Sequence, residues 1–370
     1  MVVTDRRLLP ARRGNRVRIL GVLRGLRALG WRVELICLPD AGSDDELLSE
    51  VDAVHRLRAR RFDGGDVACF DSRPFRWAVE RVVAARRPEV VIAEYAWLAP
   101  TMHRLPPRVT RVVDCHDVLH ERTDRFRAAG LDPWVSCTRV QEQGLLRSAD
   151  TVLAAQYHDG AVLRTLVPDT DVRSVFPEIS CSAPPSAPPV SSRVLAVGAS
   201  HAGNDGILRF AASGWKAVLA AVPDARLDIA GTVAAGRPGP AVTFLGEVDD
   251  LAPSYEAAAV VVCPIEIGSG VKIKAIEALR YGKAMVATPA AVEGLPEAGR
   301  PAWVEARDLD GCASATYALL SRPDERARLE DRSAAFAEEH FAPVRIRREL
   351  DAALSARRSA RRRLGLGASR

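Results

Sequence analysis

Lysine is nearly missing from this chain: of 52 basic side chains only Lys216, Lys272, Lys274 and Lys283 are lysines, and the rest are arginines. Aromatic residues make up 5% and methionine occurs three times, so base-stacking platforms and Met-rich docking grooves have little to be built from. No apolar run approaches the roughly 20 residues a membrane span needs, and the arginine-rich first 30 residues contain no apolar signal core. Seven cysteines at 37, 69, 115, 137, 181, 263 and 312 form no close pair, which argues against a disulfide framework and a zinc motif. Several lie in apolar runs, such as Leu35-Ile36-Cys37-Leu38, and read as small core residues. These absences point to a cytoplasmic protein that does not bind nucleic acid.

What is present is a 370-residue chain with 48% hydrophobic and 27% charged residues, enough for two sizeable domains. Its net charge of +5 is unevenly placed, with nine arginines against two carboxylates both in residues 1–34 and in residues 345–370. These basic ends admit two readings: a peripheral contact with an anionic inner-membrane face, or solvated surface and a disordered tail.

Short β-branched runs alternate with amphipathic stretches. Expected strands are Val33 to Leu38, Val90 to Glu94, Val109 to Asp114, Thr151 to Ala154, Val194 to Gly198, Arg226 to Gly231, Val242 to Gly246, Val260 to Cys263 and Ala284 to Thr288. Helices are expected over Arg16 to Gly30, Phe75 to Arg87, Asp205 to Ala221 and Lys272 to Gly282. Near-continuous apolar strands between such helices indicate parallel sheets buried on both faces, hence an α/β fold of doubly wound domains. A Pro/Ser-rich stretch at 180–192 divides the chain into an acceptor-side domain (1–179) and a donor-side domain (193–344), followed by a helix and basic tail (345–370) that can return to the first domain. Facing sheets of this kind form a cleft at the carboxyl ends of their strands.

Cys263 to Lys283 reads as strand, Gly268-Ser269-Gly270 loop and helix, an anion site in outline because glycines let a ligand approach the free amides of a helix start. Lys272 and Lys274 in the first turn oppose the helix dipole by about 0.3–1 kcal/mol, which makes sense if a diphosphate lies between them and the helix end; the alternative is that both splay into solvent. Glu277 reads either as an acceptor for a ribose diol or as a surface partner of Lys274. Lys283, after a helix-ending Gly282, has only a structural reading. At the end of another strand, Asp114-Cys115-His116-Asp117 places a histidine and two carboxylates where such folds bind ligands. His116 and Asp117 are the catalytic candidates. The alternatives are a helix cap by Asp114 or Asp117, or a metal site of Asp114, His116 and His120, a spacing that matches no metal motif.

The stretch from Gly268 through Lys283 to Thr288 and Glu293-Gly294-Leu295 resembles the donor-binding signature of retaining GT-B glycosyltransferases of family four, the glycosyl transferases of group 1. Gly198 with Asn204, the strands at Arg226 and Val242, Val248 after Gly246-Glu247, and Gly14-Asn15-Arg16 opening a helix resemble further parts of the same family in the same order. The resemblance implies two facing Rossmann-like domains and transfer of a sugar from a nucleotide diphosphate sugar, such as a UDP-sugar, to an acceptor hydroxyl. Retention and no metal or other cofactor are expected. The acceptor class stays open among a glycan, a lipid-linked sugar and a small natural product. It further implies donor contacts at Gly14, Asn15, Gly198, Asn204, Val248, Gly268, Ser269, Gly270, Lys272, Lys274 and Glu277. The chain departs from the family where Ser269 stands in place of a first glutamate, with Glu266 nearby, and where no basic residue precedes Asn204, which shifts phosphate binding onto Lys272 and Lys274. Its opening strand, Met1 to Asp5, is shorter than is usual in the family, which points to a start upstream of Met1. Two other readings are a non-catalytic nucleotide- or glycan-binding partner and a nucleotide-sugar epimerase on the same fold.

Overall fold

The computed structural model describes residues 1–11, 13–179, 181, 192–233, 239–297 and 302–363, with side chains to 355. Most of the Pro/Ser stretch and the end of the basic tail lie outside the described residues. The first domain holds β1 Val2–Val3, β2 Glu34–Cys37, β3 Ala53–Arg56, β4 Gly65–Asp66, β5 Val90–Glu94, β6 Thr110–Cys115, β7 Val135–Ser136, β8 Thr151–Ala154 and β9 Asp171–Ser174. Seven of these form one parallel sheet in the order β3-β2-β1-β5-β6-β8-β9, and β4 with β7 makes a small ribbon. The second domain holds β10 Arg193–Val197, β11 Arg226–Ala230, β12 Val242–Gly246, β13 Val260–Cys263, β14 Ala284–Ala287 and β15 Val304–Glu305, parallel in the order β12-β11-β10-β13-β14-β15. Both sheets reverse their winding once, beside β1 and beside β10, and such switch points open a crevice at the strands' carboxyl ends.

Alternation along each strand explains why the first sheet is covered on both sides. Val2, Leu35, Cys37, Ile92, Val112 and Leu153 pack into a core shared with the helix Gly14–Ala28. Their neighbours Val3, Ile36, Leu38, Val91, Ala93, Val113 and Val152 pack into a second core with Phe75, Val79 and Val83 of the helix Arg73–Arg86. A period of two sends successive side chains to opposite faces, so near-continuous apolar strands need helices above and below.

The helix Pro343–Arg363 returns to the first domain and runs past Leu354, where its apolar periodicity ends. Ile346, Leu350, Ala353 and Leu354, three or four apart, enter the shared core. Arg347 Nε donates to Glu178 Oε2 at 2.9 Å, tying this helix to the end of the first domain. The helical run expected over Asp205 to Ala221 is continuous but passes through a π-type turn at Phe210–Gly214. Five of the seven cysteines are buried, whereas Cys69 is exposed and Cys181 half-buried. No helix of the described residues is long and apolar enough to cross a membrane.

Candidate active site

On the donor side the helix Ile273–Arg280 starts after Lys272, which occupies the cap position in extended backbone with no side-chain cap. Its early amides therefore stay available, as at any uncapped helix start. Lys272 folds back over the loop and donates from Nζ to Gly270 O at 2.6 Å and Ser269 O at 3.3 Å. Lys274 Nζ donates to Asn204 Oδ1 at 2.5 Å, and Asn204 is fixed in turn by its Nδ2 on Ala199 O at 2.6 Å. Neither lysine splays into solvent. Each keeps part of its surface open, yet enough protein surrounds both that burial pulls each ammonium down to about 8. Among the described residues neither takes part in an ion pair. Glu277 Oε2 accepts from Tyr255 Oη at 2.9 Å, so its partner is a buried tyrosine rather than Lys274. Lys283 is buried and donates to Glu256 O and Ala258 O, both at 3.1 Å, a structural role.

On the facing side, the register of β5 and β6 sets Ile92 beside Val112 and Glu94 beside Asp114. Both carboxylates thus lie near the carboxyl ends of their strands on the face covered by the helix Gly14–Ala28, and Arg18 of that helix lies against Asp114, with its Nε 3.1 and 3.0 Å from the two carboxylate oxygens. Arg18 Nη1 also donates to Val175 O at 3.0 Å. Asp114 is therefore a buried ion-pair partner and caps no helix. Glu94 is fully buried; burial first, then the Asp114 carboxylate, hold it well above the usual carboxylate range. Its Oε2 lies 2.9 Å from His116 Nε2.

His116 is gripped from its face as well. Tyr95 stacks on it with ring centroids 3.9 Å apart, and Trp97 stacks on the far side of Tyr95 at 4.1 Å. Tyr95 has φ of 78°, a left-handed backbone that costs a non-glycine residue of order 1–3 kcal/mol. Its hydroxyl is hydrogen-bonded by Asn15 at the start of the helix Gly14–Ala28. Burial pulls the His116 imidazole down to about 4. His120 is committed elsewhere: its Nδ1 lies 2.6 Å from Glu142, whose carboxylate also accepts from the Leu119 and His120 amides at 2.9 Å and so caps the helix Leu119–Ala128. The oxygen and nitrogen atoms that cluster are those of Glu94, Asp114 and His116, within 4.8 Å of one another. Arg18 already supplies the positive charge there.

The two halves meet through the predicted residues. Ser269 Oγ donates to Asp117 Oδ2 at 2.9 Å, and Arg122 Nη1 donates to the same oxygen at 3.0 Å. Gly270 has φ of 65°, and a Cβ there would stand 2.5 Å from His116 O, so both backbone shape and space demand glycine. Gly14 faces the donor helix, where a Cβ would stand 3.0 Å from Ile273 Cγ1. Arg125 Nη1 reaches across to Glu293 Oε2 at 2.6 Å and Gly268 O at 3.3 Å, while Tyr157 N donates to Gly294 O at 3.1 Å.

Gly14, Asn15, His116, Asp117, Ser269, Gly270, Lys272, Lys274 and Asn204 thus line one seam, with Gly268 at its edge. Gly198 stands beside Asn204, where a Cβ would lie 3.3 Å from Asn204 Cγ. Val248 is half-buried beyond the end of β12. Glu266 is exposed and pairs with Arg209, its Oε2 2.9 Å from Arg209 Nε. Sequence reasoning missed Glu94, Tyr95, Arg122 and Arg125. Glu94 carried the same signal as Asp114, a carboxylate at the end of an apolar strand. The two arginines carried none, being two among 48 on this chain.

Two family models match the chain: glycosyl transferases group 1 over residues 191–322 and a glycosyl transferase 4-like domain over residues 13–177. No curated protein sequence matches it. Among solved structures, sucrose-phosphate synthase from Thermosynechococcus elongatus is similar at TM-score 0.73 and 16% identity, covering 98% of each chain. HepE from Anabaena, solved with UDP and glucose, is similar at TM-score 0.73 and 14% identity over 96% of this chain and 98% of its own. A glycosyltransferase from Rickettsia africae follows at TM-score 0.68 and 11% identity, over 96% of this chain and 97% of its own. These likenesses establish the two-domain GT-B architecture.

Proposed function

The chain belongs to the glycosyl transferases of group 1 and is a glycosyltransferase of the GT-B fold, and from that premise we propose that it moves a sugar from a nucleotide diphosphate sugar to an acceptor hydroxyl, with retention at the anomeric carbon and without a bound metal. The observation that carries this reading is the pair of desolvated ammonium groups of Lys272 and Lys274, hydrogen-bonded only to neutral oxygens beside an uncapped helix start. A cation taken out of water without a counter-charge is costly, and a diphosphate placed between the lysines and the helix amides removes that cost. HepE has been solved with UDP and with UDP-glucose, which makes UDP-glucose the first donor to try.

As the bond between sugar and diphosphate breaks, charge accumulates on the leaving oxygens. Fixed lysines and amides stabilise it without reorganising. The acceptor's proton passes to a departing phosphate oxygen on the same face of the sugar, which gives retention with no carboxylate nucleophile. His116 edges the reacting sugar. Asp117, held by Arg122 and Ser269, accepts a hydrogen bond from a sugar or acceptor hydroxyl. Thermal shift with a panel of nucleoside diphosphates, followed by isothermal titration on a Lys272→Ala/Lys274→Ala variant, tests the reading; undiminished binding would sink it.

The arginine-rich ends favour an acceptor or surface of negative charge, and the enzyme works in the cytoplasm with a peripheral hold on an anionic membrane. Co-sedimentation with phosphatidylserine vesicles should fall severalfold on removal of residues 356–370. Equal binding by the shortened chain would refute the membrane contact.

A further inference from the structure

On the acceptor side of the cleft Trp134, just before β7, is 43% exposed, although large aromatic rings gain much from burial. Its backbone is left-handed, with φ of 60°, a shape unfavourable to a bulky side chain. The surroundings impose that shape. Asp132 Oδ1 accepts from the Trp134 amide at 2.8 Å, and the Gly65 amide donates to Trp134 O at 2.7 Å. Gly64, with φ of 108°, leaves the space that the indole edge fills, since a Cβ there would stand 2.8 Å from Trp134 Nε1.

Two guanidinium groups tie this indole to the reacting centre. Arg122 donates from Nε to Pro133 O at 3.1 Å and from Nη1 to Asp117 Oδ2 at 3.0 Å, the same oxygen that takes Ser269 from the opposite domain. A single guanidinium therefore separates the Pro133–Trp134 peptide from the seam. Arg6, buried and paired with Asp5, lies 5.6 Å from the Trp134 ring and 5.8 Å from the ring of Tyr95, which stacks on His116. With Arg6 over one face and Gly64 against its pyrrole edge, the indole turns its other face to solvent. Exposed carboxylates, Asp63 and Asp132, stand in the two loops that hold it.

We propose that the open face of Trp134 is an acceptor subsite, and that it takes a sugar ring whose hydroxyl is thereby presented to His116 and Asp117. An indole face suits the C–H side of a pyranose, and carboxylates beside it accept from the ring hydroxyls. A flat aromatic acceptor would stack as well but would leave those carboxylates with nothing to bind. Because the turn is held from both sides, the sugar meets a preformed platform and little is lost in ordering it. Among the acceptor classes this selects those that end in a sugar. The subsite rests on the sugar-transfer reading, which supplies the need for an acceptor here.

The test uses the whole protein, isotope-labelled on the indole nitrogens, with the Trp134 signal identified by its loss in Trp134→Phe. Titration with glucose, galactose, mannose and N-acetylglucosamine in the presence of UDP should move that signal saturably for at least one sugar. In Trp134→Asn, whose side chain tolerates the left-handed backbone, the Kd for that sugar, read by saturation-transfer difference spectra, should rise about 10–100-fold, the scale on which losing an aromatic anchor weakens binding. Trp134→Phe should recover most of that loss, and UDP affinity should match that of wild type in both. A Trp134 signal that no sugar moves, or that moves only with a flat aromatic such as naphthol, overturns the proposal. So does a loss of UDP affinity as large as the loss of sugar affinity, which marks a merely structural role. Failure of UDP to bind wild type overturns the transfer reading and the subsite with it, whereas UDP bound with Trp134 indifferent to every sugar overturns the subsite alone. Should Trp134→Asn not fold, the wild-type titration and Trp134→Phe still decide.

Discussion

Replacing Lys272 and Lys274 together by methionine should make the protein more stable and unable to bind its donor. Each lysine falls from the ordinary 10.5 to about 8, which corresponds to roughly 3 kcal/mol against the charged form. Because part of each side chain still reaches water, about 2 kcal/mol per lysine is the fairer figure. Against this stand the lost hydrogen bonds to Gly270 O and Asn204 Oδ1, worth about 1 kcal/mol each. The net gain is about 2 kcal/mol at pH 7, or a rise in Tm of about 4–8 °C for a folding unit of this size. The sign with pH follows from a base whose folded pKa lies below its unfolded one. The penalty is complete below about 8, shrinks between 8 and 10.5, and vanishes above. The variant's advantage should therefore shrink as pH rises through that window and reverse once only the lost hydrogen bonds remain, while titration of UDP at pH 7 shows affinity reduced by at least about 100-fold, the loss expected from two charge-assisted contacts. A variant that melts lower than wild type at pH 7 and still binds UDP would refute the reasoning.

Single Lys272→Arg and Lys274→Arg variants should also fail to bind well, because a planar fork does not fit where a compact ammonium sits among Ser269 O, Gly270 O and Asn204 Oδ1; titration of UDP checks this. Gly270→Ala must adopt φ near 65° and push a methyl group into His116 O, so denaturant unfolding should show a loss of about 1–3 kcal/mol and turnover should collapse. Asp114→Asn leaves the Arg18 guanidinium buried without its counter-charge, and urea melts should register about 3–5 kcal/mol of destabilisation. The Arg125–Glu293 pair is partly exposed; a double-mutant cycle with alanine should give a coupling of about 0.2–1 kcal/mol in stability but a several-fold rise in donor KM, since the pair bridges the two domains.

The division into two parallel α/β units was legible because burial on both faces writes itself into composition. Val90 to Glu94, Thr151 to Ala154, Val242 to Gly246 and Val260 to Cys263 fall where their apolar runs place them. β3 and β9 went unseen, since Ala53–Arg56 and Asp171–Ser174 lie at the sheet's two edges and mix polar with apolar residues. The donor loop was legible for a different reason. Its glycines, its two lysines and its helix start lie within seven residues, so local chemistry alone outlines the anion site. Partnerships between distant segments were not readable. Glu277 could be placed on a helix face, but only packing of the helix Ala252–Ala257 decides that Tyr255 rather than Lys274 meets it.

The catalytic side shows why such partnerships matter. Glu94 and Asp114 are 20 residues apart in sequence and become neighbours through the register of β5 and β6. A slip of one residue would send one of them to the opposite face of the sheet. Two carboxyls side by side in a core would be untenable if both were ionised and uncompensated. One guanidinium from the overlying helix neutralises one of them, and burial together with the neighbouring carboxylate pushes the other well above the usual carboxylate range. Arginine suits that position because its fork meets both oxygens of Asp114 and still reaches Val175 O. The chain therefore divides its cations by task. Arginine locks the structure behind His116, while the two lysines that face the donor stay without an anionic partner among the described residues until a substrate supplies one.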